Sequence, residues 1–169
     1  MTRLLLLLTL ALALCAPATA SAATYVYDVP ELVERPLTAV KQATGIDVLL
    51  PSRFTSDLRK LYSEGRGREA SYRFEIGAVR RCGGAGACFV ATFRGVRGGR
   101  PSNPRKVTLR GGRRGYFRPL RCGASCAAPS LEWVQKGVLY TIEAKLGTKT
   151  TERRVLTRLA NSAIANGPR

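Results

Sequence analysis

The sequence predicts an α+β domain, on three patterns in the 169-residue chain. Apolar and polar residues alternate at period two over 71–97 and again over 130–144, the pattern of half-buried strands. Apolar residues recur at helical spacing over 150–166. A capping residue, an early proline and a terminal glycine frame a shorter helical stretch within 25–45. Helices at both ends of a run of antiparallel strands define the α+β class, here a curved sheet packed against the C-terminal helix, with a shorter N-terminal helix.

The first 22 residues read as a secretory signal peptide. Arg3 supplies the early charge, Leu4 to Leu14 form a mainly apolar run, and Ala18-Thr19-Ala20 and Ala20-Ser21-Ala22 offer small-residue cleavage patterns. The apolar run is shorter than the roughly 20 residues a bilayer span needs. Cys15 follows Leu14 rather than a small residue, which argues against a lipid anchor and leaves it with the leader. Residues 23–169 then form a single exported domain.

Within that domain, YVYDVPELVERPLTAVKQATG is helical in part. Asp28 caps, Pro30 suits the first turn, Pro36 forces a kink or restart, and Gly45 stops it. Val48, Leu49 and Leu50 read as a short buried strand ended by Pro51, and 53–63 carry no clear pattern. The hairpin over 71–97 puts Tyr72, Phe74, Ile76 and Ala78 on one face, answered by Phe89, Ala91 and Phe93 beyond the GGAGA turn. RGGRPSNPRK is a loop. KVTLRGG is a short strand with Val107 and Leu109 on one face. SLEWVQKGVLYTIEAKLG is a second hairpin turning at Lys136-Gly137, with Val138, Tyr140, Ile142 and Ala144 on one face. The last helix presents Val155, Leu156, Leu159, Ala160, Ala163 and Ile164, capped by Thr150 or Thr151 and stopped by Gly167 and Pro168.

Four cysteines remain after the leader. In an exported chain an even count reads as disulfides, and local pairing, Cys82–Cys88 and Cys122–Cys126, is the simplest of the three connectivities. A zinc site on the same four thiols is the alternative, but the spacings are looser than those of zinc knuckles, so no metal and no cofactor are expected. The chain contains no histidine, which excludes Ser-His-Asp and Cys-His catalysis. GASCA lacks the second glycine of a nucleophile elbow, and GGAGA lacks the lysine of a phosphate loop. Glu75, Glu132 and Glu143 lie on predicted strands, where ion pairing with the many arginines is the expected role. Trp133, the single tryptophan, is expected in the core.

The motif GYF-x-P-x-x-CGASC-x-x-P-x-x-EW, followed by GVLYTI and ANSAI-x-x-GPR, resembles a group of uncharacterised exported bacterial proteins. The resemblance covers roughly the C-terminal 60 residues. It implies a shared fold and no particular activity.

Charge is the strongest functional signal. The formal net charge is +17, and no acid occurs between Ile76 and Leu131, an interval holding twelve basic residues, eleven of them arginine. Arginine offers planar bidentate donors to phosphate and carboxylate. The expected function is that of an exported, non-enzymatic domain binding an anionic partner at the cell envelope, an acidic polymer or lipid head groups with peripheral membrane contact. Arg110, Arg113, Arg114, Arg118 and Arg121 are the expected anion-binding set, with Tyr116 and Phe117 available for stacking. No DNA-binding pattern is present, so specific nucleic-acid recognition is not expected. Two alternatives stay open: a carrier holding a lipid or small apolar ligand on a concave face lined by Tyr72, Phe74, Phe89, Phe93 and Tyr140, and a histidine-free hydrolase using paired carboxylates.

Overall fold

A computed structural model describes residues 23–83 and 86–169. The signal-peptide reading and Cys15 lie outside the described residues. In chain order the elements are β1 (Tyr25–Asp28), α1 (Val29–Leu32), α2 (Glu34–Ala43), β2 (Arg53–Ser56), β3 (Tyr62–Arg68), β4 (Ser71–Gly77), β5 (Phe89–Arg97), β6 (Arg105–Thr108), a 3-10 turn at Arg110–Gly112, β7 (Arg114–Arg118), β8 (Arg121–Cys122), β9 (Cys126–Ala127), β10 (Ser130–Gln135), β11 (Val138–Ala144) and α3 (Glu152–Asn166).

The main sheet is seven-stranded, in the order β3-β4-β5-β11-β10-β7-β6, with every neighbouring pair antiparallel. β1 pairs with β2 in a separate ribbon, and β8 with β9 in a short ear. Antiparallel sheet with helices on one side is the α+β architecture expected from the sequence. The turn between β10 and β11 sits at Lys136-Gly137, with φ of 51° and 72°. Two positive φ values are what a two-residue type I′ hairpin requires.

One sheet face is the core. Phe74, Phe93, Ile142, Leu131 and Phe117 lie side by side across five strands, beside the stacked Trp133 and Tyr140 rings at 5.4 Å. All of these side chains are buried, and α3 adds Leu156, Leu159, Ala160 and Ala163 to them. Trp133 is therefore a core residue. Of the aromatic side chains that would have lined a carrier cavity, Tyr72, Phe74, Phe93 and Tyr140 are packed in the core, while Phe89, buried beside the register shift at Ile76/Gly77, stands outside that cluster.

The N-terminal elements follow the capping signals closely. Asp28 accepts the Glu31 N–H at 3.0 Å, and the helix breaks at Val33 before resuming as α2, two residues ahead of Pro36. Thr151 occupies the start of α3 but makes no side-chain capping bond; its Oγ1 accepts the Thr148 N–H at 2.9 Å.

Two segments differ from expectation. Val48–Leu50 is buried but joins no sheet, with a single bridge between Leu49 and Pro168. Its backbone is satisfied elsewhere: Leu49 exchanges hydrogen bonds with the Tyr72 hydroxyl, and Val48 accepts the Arg169 N–H at 3.0 Å. The strand forms after Pro51, as β2. Tyr25–Asp28, read as part of a helical stretch, is the strand that pairs with it.

Candidate functional site

Strand side chains alternate between faces, so the core register dictates what the opposite face presents. Directly opposed residues there form two cross-strand rows. The first runs Arg66, Arg73, Arg94, Thr141, Glu132, Tyr116, Lys106 from β3 to β6. The second runs Glu64, Glu75, Thr92, Glu143, Ser130, Arg118. Among the described residues no helix covers this face; the loop after β5 folds back over part of it.

That loop is held by Glu132. Its buried carboxylate accepts the Ser102 N–H at 2.7 Å, the Ser102 hydroxyl at 3.2 Å and the Asn103 N–H at 2.9 Å. The Asn103 amide in turn donates to Ser130 Oγ at 3.0 Å and to the Tyr116 carbonyl at 3.2 Å. Anchored this way, the loop walls a cavity of about 390 Å³ lined by Arg73, Thr92, Arg94, Arg100, Arg118, Glu132, Thr141 and Glu143, with Val96 and Leu139 as its apolar part. A smaller recess of about 190 Å³ adjoins it at Arg73 and Glu143 and reaches Gly86, Cys126 and Lys145. The Lys145 ammonium donates to the Gly86 carbonyl.

The two disulfides therefore frame one end of the face. Cys82–Cys88 closes the β4–β5 connection, with Cα atoms 5.8 Å apart, and Cys122–Cys126 closes the β8–β9 ear, with Cα atoms 4.0 Å apart. The pairing is the local one expected from the sequence. Such bridges belong to non-reducing compartments. Among the described residues, no helix is long and apolar enough to cross a membrane.

Charge across the rows is unevenly compensated. Arg66, Arg73 and Arg94 stand directly opposite one another on three adjacent strands about 4.8 Å apart. Like charges so placed destabilise a sheet. Arg73 pairs with Glu75 at 3.5 Å and Arg118 with Glu143 at 3.4 Å, while Arg66, Arg94 and Arg100 form no ion pair among the described residues. The three carboxylates named from the sequence do share this face, each tied to an arginine or to the loop backbone.

Of the five arginines expected to bind anions, Arg118 alone lines the cavity. Arg114 follows the same alternation on β7, one position beyond Tyr116 from Arg118. Arg110 lies in the 3-10 turn, its N–H donated to Asn161 Oδ1 of α3 at 2.7 Å, on the helix side of the sheet. Arg113 precedes β7, and Arg121 is exposed on the ear. Beside Arg118, the open face and its cavity bring together Arg66, Arg73, Arg94 and Arg100, which were not among the five. For Arg66, Arg73 and Arg94 the signal was the polar phase of each strand's alternation, but bringing the phases together needed the strand order, and Arg100 lies in the loop after β5. No known protein family matches the chain, and neither a curated protein nor a solved structure matches it.

Proposed function

We propose that the protein is an exported, non-enzymatic binding domain that holds an anionic partner at the cell envelope on the open polar face of its sheet. The observation that carries this reading is the arginine ladder Arg66–Arg73–Arg94, extended by Arg100, with a cavity beside it and, among the described residues, no carboxylate paired to three of the four. A phosphate or carboxylate group bound there would offset the repulsion between the opposed guanidinium groups and accept bidentate hydrogen bonds from them. The carboxylates support binding rather than acid–base chemistry, since Glu132 holds a loop and Glu75 and Glu143 hold arginines.

Two sources of such a group are lipid head groups and an acidic envelope polymer, and the test separates them. Binding is measured to vesicles containing an anionic phospholipid and, in parallel, to a soluble anionic polysaccharide. Arg66, Arg94 and Arg100 are replaced together by Gln, and an equal-charge control replaces Arg35, Arg53 and Arg59. The expected result is a loss of about tenfold or more for the first variant, as when charge-assisted hydrogen bonds are removed, against a small loss for the control. Equal losses in the two variants would show that total charge alone governs binding.

A further inference from the structure

A second basic surface lies on the other side of the molecule. The main sheet ends at β6. Leu109 donates its N–H to the Arg113 carbonyl at 2.8 Å, continuing the ladder to β7. In an antiparallel pair, hydrogen-bonded and non-bonded positions alternate. Val107 and Arg105 therefore turn their backbone groups toward β7, and Lys106 and Thr108 turn theirs outward. A groove of about 640 Å³ runs along this edge, walled by Val107 and Thr108 on one side and by α3 on the other. The α3 wall is Arg153, Arg154, Thr157, Arg158 and Asn161, the three-and-four spacing of a single helix face, with Thr150 just before the helix. It carries three arginines. Among the described residues no acidic side chain lines the groove, and nearby Glu152 is buried, accepting the Leu120 N–H at 3.3 Å.

We infer that this groove takes an extended acidic segment of a partner protein, which pairs with β6 as an added strand and turns its carboxylates toward the arginine face of α3. The outward backbone groups of Lys106 and Thr108 supply main-chain hydrogen bonds, the mode of strand addition at a free edge. The arginine wall selects the charge. Because side chains alternate along a strand, acids at every second position all meet α3. Another copy of this chain is a poor occupant, being itself strongly basic.

The test uses a capped heptapeptide alternating Thr and Glu, and the same peptide with alternate amides N-methylated, which keeps the charge and blocks strand pairing. Affinity is measured by fluorescence anisotropy at fixed salt for the wild type, for Arg153→Gln/Arg154→Gln/Arg158→Gln, and for the equal-charge control Arg35→Gln/Arg59→Gln/Arg68→Gln. The unmodified peptide should bind the wild type and slow amide exchange at Lys106 and Thr108. N-methylation of the amides that face β6, and the α3 triple substitution, should each weaken binding about tenfold or more, while the control stays near wild type. Failure of the unmodified peptide to bind would overturn the inference. So would equal binding of the N-methylated peptide, or equal losses in the two triple variants, since charge alone would then account for the contact.

Discussion

The Tyr72 hydroxyl sits between the two backbone polar groups of Leu49, accepting from its N–H and donating to its C=O, each at 3.0 Å. A single phenol thus satisfies a buried, unladdered segment. Replacing Tyr72 by Phe should cost about 1–3 kcal/mol, because both Leu49 groups stay buried without a partner; urea denaturation at neutral pH checks this. Burial also pushes the Tyr72 phenol well above its ordinary range, and burial followed by the nearby Asp47 charge pushes Tyr140 up to about 12. A raised folded-state value means that the folded protein keeps a proton which the unfolded chain releases near pH 10. Stability from this source is complete below that pH and falls as pH rises through it. Alkaline titration of the denaturation midpoint should show that fall, and Tyr72→Phe should make it shallower.

Among elements, α3 and the two hairpins were legible because each carries a regular apolar period. Replacing Leu159 by Ala should cost about 2–5 kcal/mol for a buried leucine, read from the shift in denaturation midpoint; an unchanged midpoint would place α3 outside the core. β3 was illegible for a physical reason. Its core-face positions are Gly65 and Gly67, where an added Cβ would stand 2.7 Å from Pro36 Cβ and 2.7 Å from the Val40 carbonyl oxygen. The close approach of α2 removes the apolar alternation that would have marked the strand. Val48–Leu50 misled in the opposite sense, an apolar run buried without a ladder. The candidate site was legible as charge but not as geometry: the sequence shows arginines at polar positions of several strands, while their meeting depends on β5 lying between β4 and β11. The disulfide clips were readable from spacing. Peptide mapping without reduction should recover both local pairs, and by the loop-entropy relation the seven-residue ring at Cys82–Cys88 should contribute about 2 kcal/mol.

For the whole molecule, net charge is +17, and two of the surfaces that carry arginines are the open face of the sheet and the edge groove beside α3. Salt weakens any such surface toward an anion, so salt dependence alone does not locate the contact. The arginine ladder supplies a sharper criterion, since opposed like charges should burden the free fold and serve only when a ligand is bound. The measurement that tests this most directly is the denaturation midpoint of Arg94→Gln at low salt, with and without the bound anion. Relief of repulsion should raise the unliganded midpoint, by about 0.2–1 kcal/mol in stability, and the stabilisation that the anion gives to the wild type should shrink. An unliganded midpoint that falls, together with undiminished stabilisation by the anion, would contradict a binding role for the ladder.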